Sequence, residues 1–315
     1  MVTIPPEEGP RSGQERPSGQ GSSSGQERSG QERPSGQGTS FAQEPHQTQE
    51  PQRHRELHRE RGVAESFGLD AERYERARPS YPQALIERIL AVSPGPDVLD
   101  IGCGTGISSR PFTAAGCRVL GVEPDERMAD LARRGGLEVE VAKFEDWDPA
   151  GRAFDAAVAG QAWHWVDPVA GAARAAQALR PGGRLVVFWN AFQPPPALSR
   201  AFADVYDAVL PGFPGNLWSR PIIDGYRTMC GTAADGMRQA GAFGECEQWQ
   251  FDWERPYTRD EWLDAVPTFG GHSRLPAQAQ RELLAGLGAA VDAVGGSFTM
   301  GYATVAATAA RTGGS

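Results

Sequence analysis

The sequence predicts an α/β fold: a doubly wound, Rossmann-like seven-stranded sheet, mostly parallel, with helices on both faces and a helical insertion after strand five. Three observations carry that reading. Short apolar runs recur from residue 97 onward, the stretches between them have helical composition with capping residues, and 39% of the 315 residues are hydrophobic against 23% charged. Strands and helices that alternate in this way specify parallel strands joined by right-handed crossovers.

The order of elements starts late. Residues 12–21 read SGQERPSGQG and residues 29–38 repeat them, with a partial copy, SGQERS, between. Such a segment holds too little apolar surface to offset the entropy of ordering. Residues 1–62 are therefore expected to be a disordered low-complexity tail, and 63–315 the domain, whose roughly 250 residues suffice for one sizeable core. A first helix is expected around Phe67, Leu69 and Tyr74, and a second from Gln83 to Ala91. The runs DVLDIG (97–102), RVLGVE (118–123), LEVEVA (137–142), FDAAVA (154–159) and RLVVFW (184–189) read as five buried strands. Between them Asp125 and Asp167 suit helix N-caps, and Gly182 with Gly183 reads as a helix stop. After Asn190 the rhythm breaks into three prolines, a helix-like stretch from Ala201 to Val209 and a loop rich in Gly and Pro, so 191–243 is expected to be a substrate-side insertion. Glu245 to Trp253 alternates like a strand, Thr258 with Glu261 makes a capping box, and Phe298 to Ala307 reads as the last strand.

Composition narrows the chemistry. A net charge of −9 argues against a nucleic-acid partner, which normally meets a basic face. Cys103, Cys117, Cys230 and Cys246 lie far apart without a CxxC pair, so no zinc spacing and no disulfide framework is expected. The first residues lack a basic segment followed by an apolar one, and no eighteen apolar residues run together. Reduced thiols in a cytoplasm, away from membranes, fit that reading.

The chemistry-bearing segment is VLDIGCGTG, residues 98–106, placed after a strand and before a helix. Its glycines, Gly102, Gly104 and Gly106, are spaced GxGxG rather than the GxGxxG of a nicotinamide-binding turn. Asp100 stands two residues ahead of them, where a carboxylate suits a ligand carrying an ammonium and a sulfonium. Glu123 ends the next strand, where an acid can accept both hydroxyls of a ribose. The segment is similar to the first motif of class I S-adenosylmethionine-dependent methyltransferases, and the resemblance runs in order from about residue 64 to 190. It implies S-adenosylmethionine as cofactor, with Asp100 and the loop Gly102, Cys103, Gly104 and Gly106 on its methionine part and Glu123 on its ribose. Phe144, Glu145 and Asp146 would meet the adenine, and Gly160 and Gln161 would end the fourth strand beside the methyl group. LRPGGRLVV (179–187) resembles the family's lead into strand five.

Two further segments point to a branch. YERARPSYP (74–82) resembles the arm before the sheet in small-molecule methyltransferases of the type 11 group, which makes Tyr74 and Arg78 lid candidates on the substrate side. QAWHWVDP (161–168) resembles the motif after strand four in enzymes like the trans-aconitate methyltransferases. His164, the single histidine between His58 and His272, is the candidate catalytic residue: a neutral imidazole there would take a proton or orient an acceptor oxygen. Trp163, Trp165 and Trp218 are substrate-side candidates. No metal is implied, and the expected partner is a small-molecule methyl acceptor reacting by in-line displacement. A non-catalytic protein that binds the same cofactor, or a nicotinamide oxidoreductase on a related sheet, are the alternatives, the second disfavoured by GxGxG.

Overall fold

DVLDI is apolar on both faces, as a strand at the centre of a parallel sheet must be, and the last four residues of β1 (Asp97–Ile101) are buried. The sheet runs β3-β2-β1-β4-β5-β7-β6. Here β2 is Arg118–Glu123, β3 Glu138–Val141, β4 Phe154–Gly160, β5 Leu179–Gln193, β6 Glu247–Thr258 and β7 Ser297–Ala310. The first five are parallel, and β7 lies antiparallel between β5 and β6. The computed structural model describes residues 67–313, except 214, 215, 217 and 219–221. The expected tail, 1–62, lies outside the described residues.

Nine α-helices follow in chain order among the described residues: α1 (Ala71–Ala77), α2 (Gln83–Val92), α3 (Ser109–Ala114), α4 (Glu126–Arg134), α5 (Pro168–Ala178), α6 (Pro196–Val209), α7 (Ile222–Ala240), α8 (Arg259–Ala265) and α9 (Ala277–Asp292). Their starts are set by the caps read from the sequence. The Asp125 carboxylate accepts the Arg127 N–H, that of Asp167 accepts the Val169 and Ala170 N–H groups, and Thr258 with Glu261 closes a reciprocal capping box.

Alternation along β5 divides the core. Leu185, Val187 and Trp189 face α5 and α7, while Val186 and Phe188 join Leu85, Ile86 and Ile89 of α2 and Phe112 of α3 on the other face. Each fully buried side chain of this size contributes about 1.5–3 kcal/mol. A third cluster, rich in aromatic rings, joins Phe192 and Tyr302 at the far ends of β5 and β7 to α6, α8 and α9. Trp262 and Phe202 stack at its centre, ring centroids 5.4 Å apart.

One expectation needs adjustment. Gly182 and Gly183 do not stop a helix: α5 ends at Ala178, capped by Leu179, and the glycines lie within β5, where the Gly182 N–H bonds the Arg311 carbonyl and Gly183 runs against the backbone of β4. The segment 191–243 also splits. α6 belongs to the aromatic cluster, whereas α7 packs on α5 and the sheet and lends Tyr226 and Met229 to the wall of a cavity. Its apolar residues Cys230, Ala233 and Met237, three to four apart, give it that face.

Candidate cofactor and acceptor cavity

β1 connects to β2 on one side while β4 lies on its other side, so the chain parts at the carboxyl ends of β1 and β4, where doubly wound sheets hold ligands. A cavity of about 970 Å³ opens there. Ile101, Glu123, Gly160 and Asn190 bring the ends of four strands into its wall.

The glycine loop forms its floor. Gly102 and Gly104 have φ of +65° and +55°, a region that side chains with a Cβ disfavour. At Gly102 space forbids a side chain as well, since a Cβ would stand 2.6 Å from that of Ala162. The loop is tied to β2: the Gly102 and Cys103 N–H groups reach the Val122 carbonyl at 2.8 and 3.3 Å. Glu123 completes the tie, accepting the Gly104 N–H at 2.9 Å on one oxygen and the Asp125 N–H at 3.0 Å on the other.

Asp100 lies beneath the loop, fully buried. Its Oδ2 accepts the hydroxyls of Ser108 at 2.7 Å and Ser109 at 2.5 Å, while Oδ1 is buried with no partner. An orphaned carboxylate oxygen in a dry setting is costly, and a cationic ligand group would relieve it. Burial raises the Asp100 carboxyl to about 6 against the pull of the two serines. Burial likewise raises Glu123 to about 7, opposed by its two backbone donors.

On the other side of the cavity, Gln161 holds φ of +54°, which costs a residue with a Cβ on the order of 1–3 kcal/mol. Its N–H bonds the Phe188 carbonyl at 2.9 Å, and its buried Oε1 has no partner. Gly160 before it must be glycine: a Cβ would lie 2.7 Å from the Tyr81 hydroxyl and 2.8 Å from the Phe188 ring. His164 follows in a 3-10 turn, Trp163–Trp165. The indole N–H of Trp189 donates to His164 Nδ1 at 3.1 Å. In a neutral ring that bond assigns the proton to Nε2, so the outer nitrogen donates rather than accepts.

A family model described as "Methyltransferase domain" matches residues 74–219. An uncharacterised methyltransferase of Mycobacterium tuberculosis is 39% identical over 133 residues, 41% of this chain and 54% of that protein. A ubiquinone biosynthesis O-methyltransferase of Bradyrhizobium sp. is 36% identical over 97 residues, 29% of this chain and 38% of that protein. A solved structure described as a type II methyltransferase of Anaeromyxobacter dehalogenans superposes with a TM-score of 0.55 at 26% identity, covering 73% of this chain and 97% of its own. Residues 74–219 thus match the methyltransferase domain family, and the fold is shared with that solved methyltransferase. It spans about half the length of the mycobacterial relative it matches.

The expected residues fall into three groups. Gly102, Cys103, Gly104, Glu123, Phe144, Glu145, Gly160 and Gln161 line the cavity, as do Tyr74, Arg78, His164 and Trp165. Asp100 and Gly106 support the loop from outside the lining, Gly106 with φ of +90° and its N–H on the Cys103 carbonyl. Asp146, Trp163 and Trp218 lie elsewhere. Asp146 is exposed, because the turn after β3 puts Phe144 and Glu145 on the cavity side. Trp163 is buried against Phe144 and α5. Trp218 is buried among Phe192, Phe202 and Trp262. Both indoles are core.

The cavity also contains residues for which the sequence assigned no site role: Phe67, Tyr81, Asn190, Tyr226 and Phe269. Tyr81 sits inside the quoted arm and its spacing to Tyr74, one helix and a turn away, was the available signal. For Tyr226 and Phe269 no local pattern exists. The donors and acceptors present suit S-adenosylmethionine: an unsatisfied buried carboxylate for a cationic end, Glu123 for hydroxyls and the apolar Phe144 for a ring. No helix among the described residues is long and apolar enough to cross a membrane.

Proposed function

We propose that the protein transfers a methyl group from S-adenosylmethionine to a small-molecule acceptor bound in the same cavity. The observation that carries this reading is the buried, partnerless Oδ1 of Asp100 under a loop shaped by glycines at positive φ. When bound, the cofactor supplies an electrophilic methyl carbon on a positively charged sulfur. The backbone of Gly102 to Gly104, with the Asp100 carboxylate beneath it, would hold its amino-acid end, Glu123 its ribose and Phe144 with Glu145 its adenine. Gln161 and His164 then stand on the acceptor side.

What the protein must do is mostly alignment and exclusion of water, because charge is lost as the new bond forms. Phe67, Tyr74 and Trp165 close over the cavity with Phe67 at 5.8 and 6.2 Å from the other two ring centroids. His164, with its proton on Nε2, would orient an acceptor oxygen by donation rather than remove its proton. Of the two roles expected for the imidazole, this tautomer favours orientation of an acceptor oxygen. An acceptor that reaches the cavity already ionised needs no base.

The test is turnover. S-adenosylmethionine with a panel of small hydroxylated, amino and carboxylated compounds should yield S-adenosylhomocysteine with at least one of them. Cofactor binding without turnover across a broad panel would favour a binding protein that keeps the fold.

A further inference from the structure

We propose that the acceptor half of the cavity is built for a small organic anion with a flat apolar body, its carboxylate or phosphate oxygens held by Arg78. The inference rests on the methyltransferase reading and names the substrate class for that same site.

Arg78 caps the C-terminus of α1, its backbone N–H on the Tyr74 carbonyl at 3.0 Å. Its guanidinium stands 5.2 Å from the Tyr74 ring centroid and 5.4 Å from that of Phe269. The other arginines nearby have carboxylates. On the same helix Arg73 and Arg76 both bond Asp264, at 3.1 and 2.8 Å, and Arg110 pairs with Glu75 at 2.7 Å. Among the described residues no carboxylate pairs with Arg78, which is half-buried and lines the cavity. The polar groups set around it are phenols, those of Tyr74, Tyr81 and Tyr226. Burial holds Tyr81 and Tyr226 above the ordinary range, so they are neutral donors.

A guanidinium cannot lose its charge, and ring faces attract it without filling its five N–H donors. Taking such a cation out of water demands a counter-charge. The acids of the cavity wall are engaged elsewhere or turned to solvent, Asp125 pairing with Arg127 at 2.6 Å and Glu126 being exposed. Glu123 accepts two backbone N–H groups of the loop and Glu145 the Asp167 N–H at 3.0 Å. The missing partner is therefore one that arrives with the ligand, and a forked guanidinium suits carboxylate or phosphate.

The arm that presents Arg78 is pinned. The Asn190 side-chain N–H donates to the Ser80 carbonyl at 3.1 Å, the Thr304 hydroxyl donates to Asn190 Oδ1 at 2.6 Å, and the Trp253 indole donates to Thr304 at 2.8 Å. The backbone beside Arg78 is thus held before any ligand binds. Trp165, Phe192, Phe213 and Phe269 supply flat apolar wall around it. A ligand of mainly apolar body with one oxyanion satisfies both the cation and the rings.

The experiment is calorimetry on the full chain, with and without S-adenosylhomocysteine. The probes are phenylacetate, benzoate, cinnamate and phenyl phosphate, with the primary amides of the three acids as neutral isosteres. At least one oxyanion should bind tenfold or more tighter than its neutral counterpart. Arg78→Met, and Arg78→Gln should the first fail to fold, should reduce that preference to within twofold, while Arg78→Lys keeps part of it. S-adenosylmethionine titrated into the same preparations separates the two readings. Cofactor binding with no oxyanion preference anywhere in the panel, or a preference that survives loss of Arg78, overturns the proposal and leaves methyl transfer standing. Oxyanion preference without cofactor binding overturns the methyltransferase reading and leaves an anion site.

Discussion

The two halves of the cavity are made differently. The half proposed for the cofactor comes from one short stretch, Asp100 to Gly106, the residue that ends the neighbouring strand and the turn after β3, and the ties of its loop are largely to backbone. The half proposed for the acceptor draws single side chains from the arm, from the turn after β4, from the end of β5, from α7 and from the loop after α8. The first is a local conformation with two buried acids, and the second is an assembly of rings and one cation. A conserved chemistry can be written into a loop, while selectivity for an acceptor is distributed over a surface.

The halves should therefore break separately. The largest effect expected is on the cofactor side: Asp100→Asn removes the charge under the loop and should weaken S-adenosylmethionine binding by about 1.5–3 kcal/mol, roughly 10- to 150-fold. Equal affinity in a folded variant, measured by calorimetry, would remove Asp100 from the site.

Next in size is a pH effect confined to that half. Asp100 titrates near 6 and Glu123 near 7 in the folded protein, both above the ordinary carboxylate range because burial disfavours the charge. The native state thus holds these protons more tightly than the unfolded chain, so ionising them costs stability as pH rises from about 4 through 7. Without cofactor, their contribution makes the melting temperature rise as pH falls from 8 toward 5. A cationic ligand favours the ionised forms, so its affinity should fall over the same interval, by up to about tenfold per pH unit for each proton taken up. Thermal melts across pH, with and without S-adenosylmethionine, read both trends. A stabilisation by cofactor that stays constant from pH 8 to 5 contradicts the assignment.

On the acceptor side a smaller change is expected. His164→Ala removes one neutral donor and should slow turnover by about three- to tenfold, with S-adenosylmethionine affinity within about twofold. A loss of several hundredfold would restore the imidazole as a proton acceptor and require the Trp189 bond to break during the reaction.

The smallest effect concerns the ties of the arm. Asp264 meets Arg73 and Arg76 near the surface. Exposed pairs contribute little, so Asp264→Asn should shift the melting temperature by no more than about 2 °C. A much larger drop would mean that the arm, and Arg78 with it, depends on that carboxylate.

The same contrast explains what could be read from residues alone. Apolar runs, caps and glycines at positive φ are local constraints, and they located the parallel strands, the helix starts and the floor of the cavity. Glycines fail as punctuation when a strand uses them, which is why Gly182 and Gly183 read as a stop yet lie in β5. The turn after β3 has no period, so nothing in the string separates Glu145, in the cavity, from Asp146, in solvent. Trp163 and Trp218 went to the core because large rings find burial wherever packing allows, whether or not a ligand is near. Tyr226 and Phe269 enter the wall only through long-range packing of α7 and the loop after α8. The tautomer of His164 depends on Trp189, a residue 25 positions away on another strand.

The account rests most directly on which cofactor the glycine loop accepts. S-adenosylmethionine and NAD titrated separately into the full chain at pH 8, where Asp100 and Glu123 are ionised, decide it. The prediction is saturable one-to-one binding of S-adenosylmethionine and none of NAD. Absence of S-adenosylmethionine binding to folded protein, or tighter binding of NAD, would contradict it.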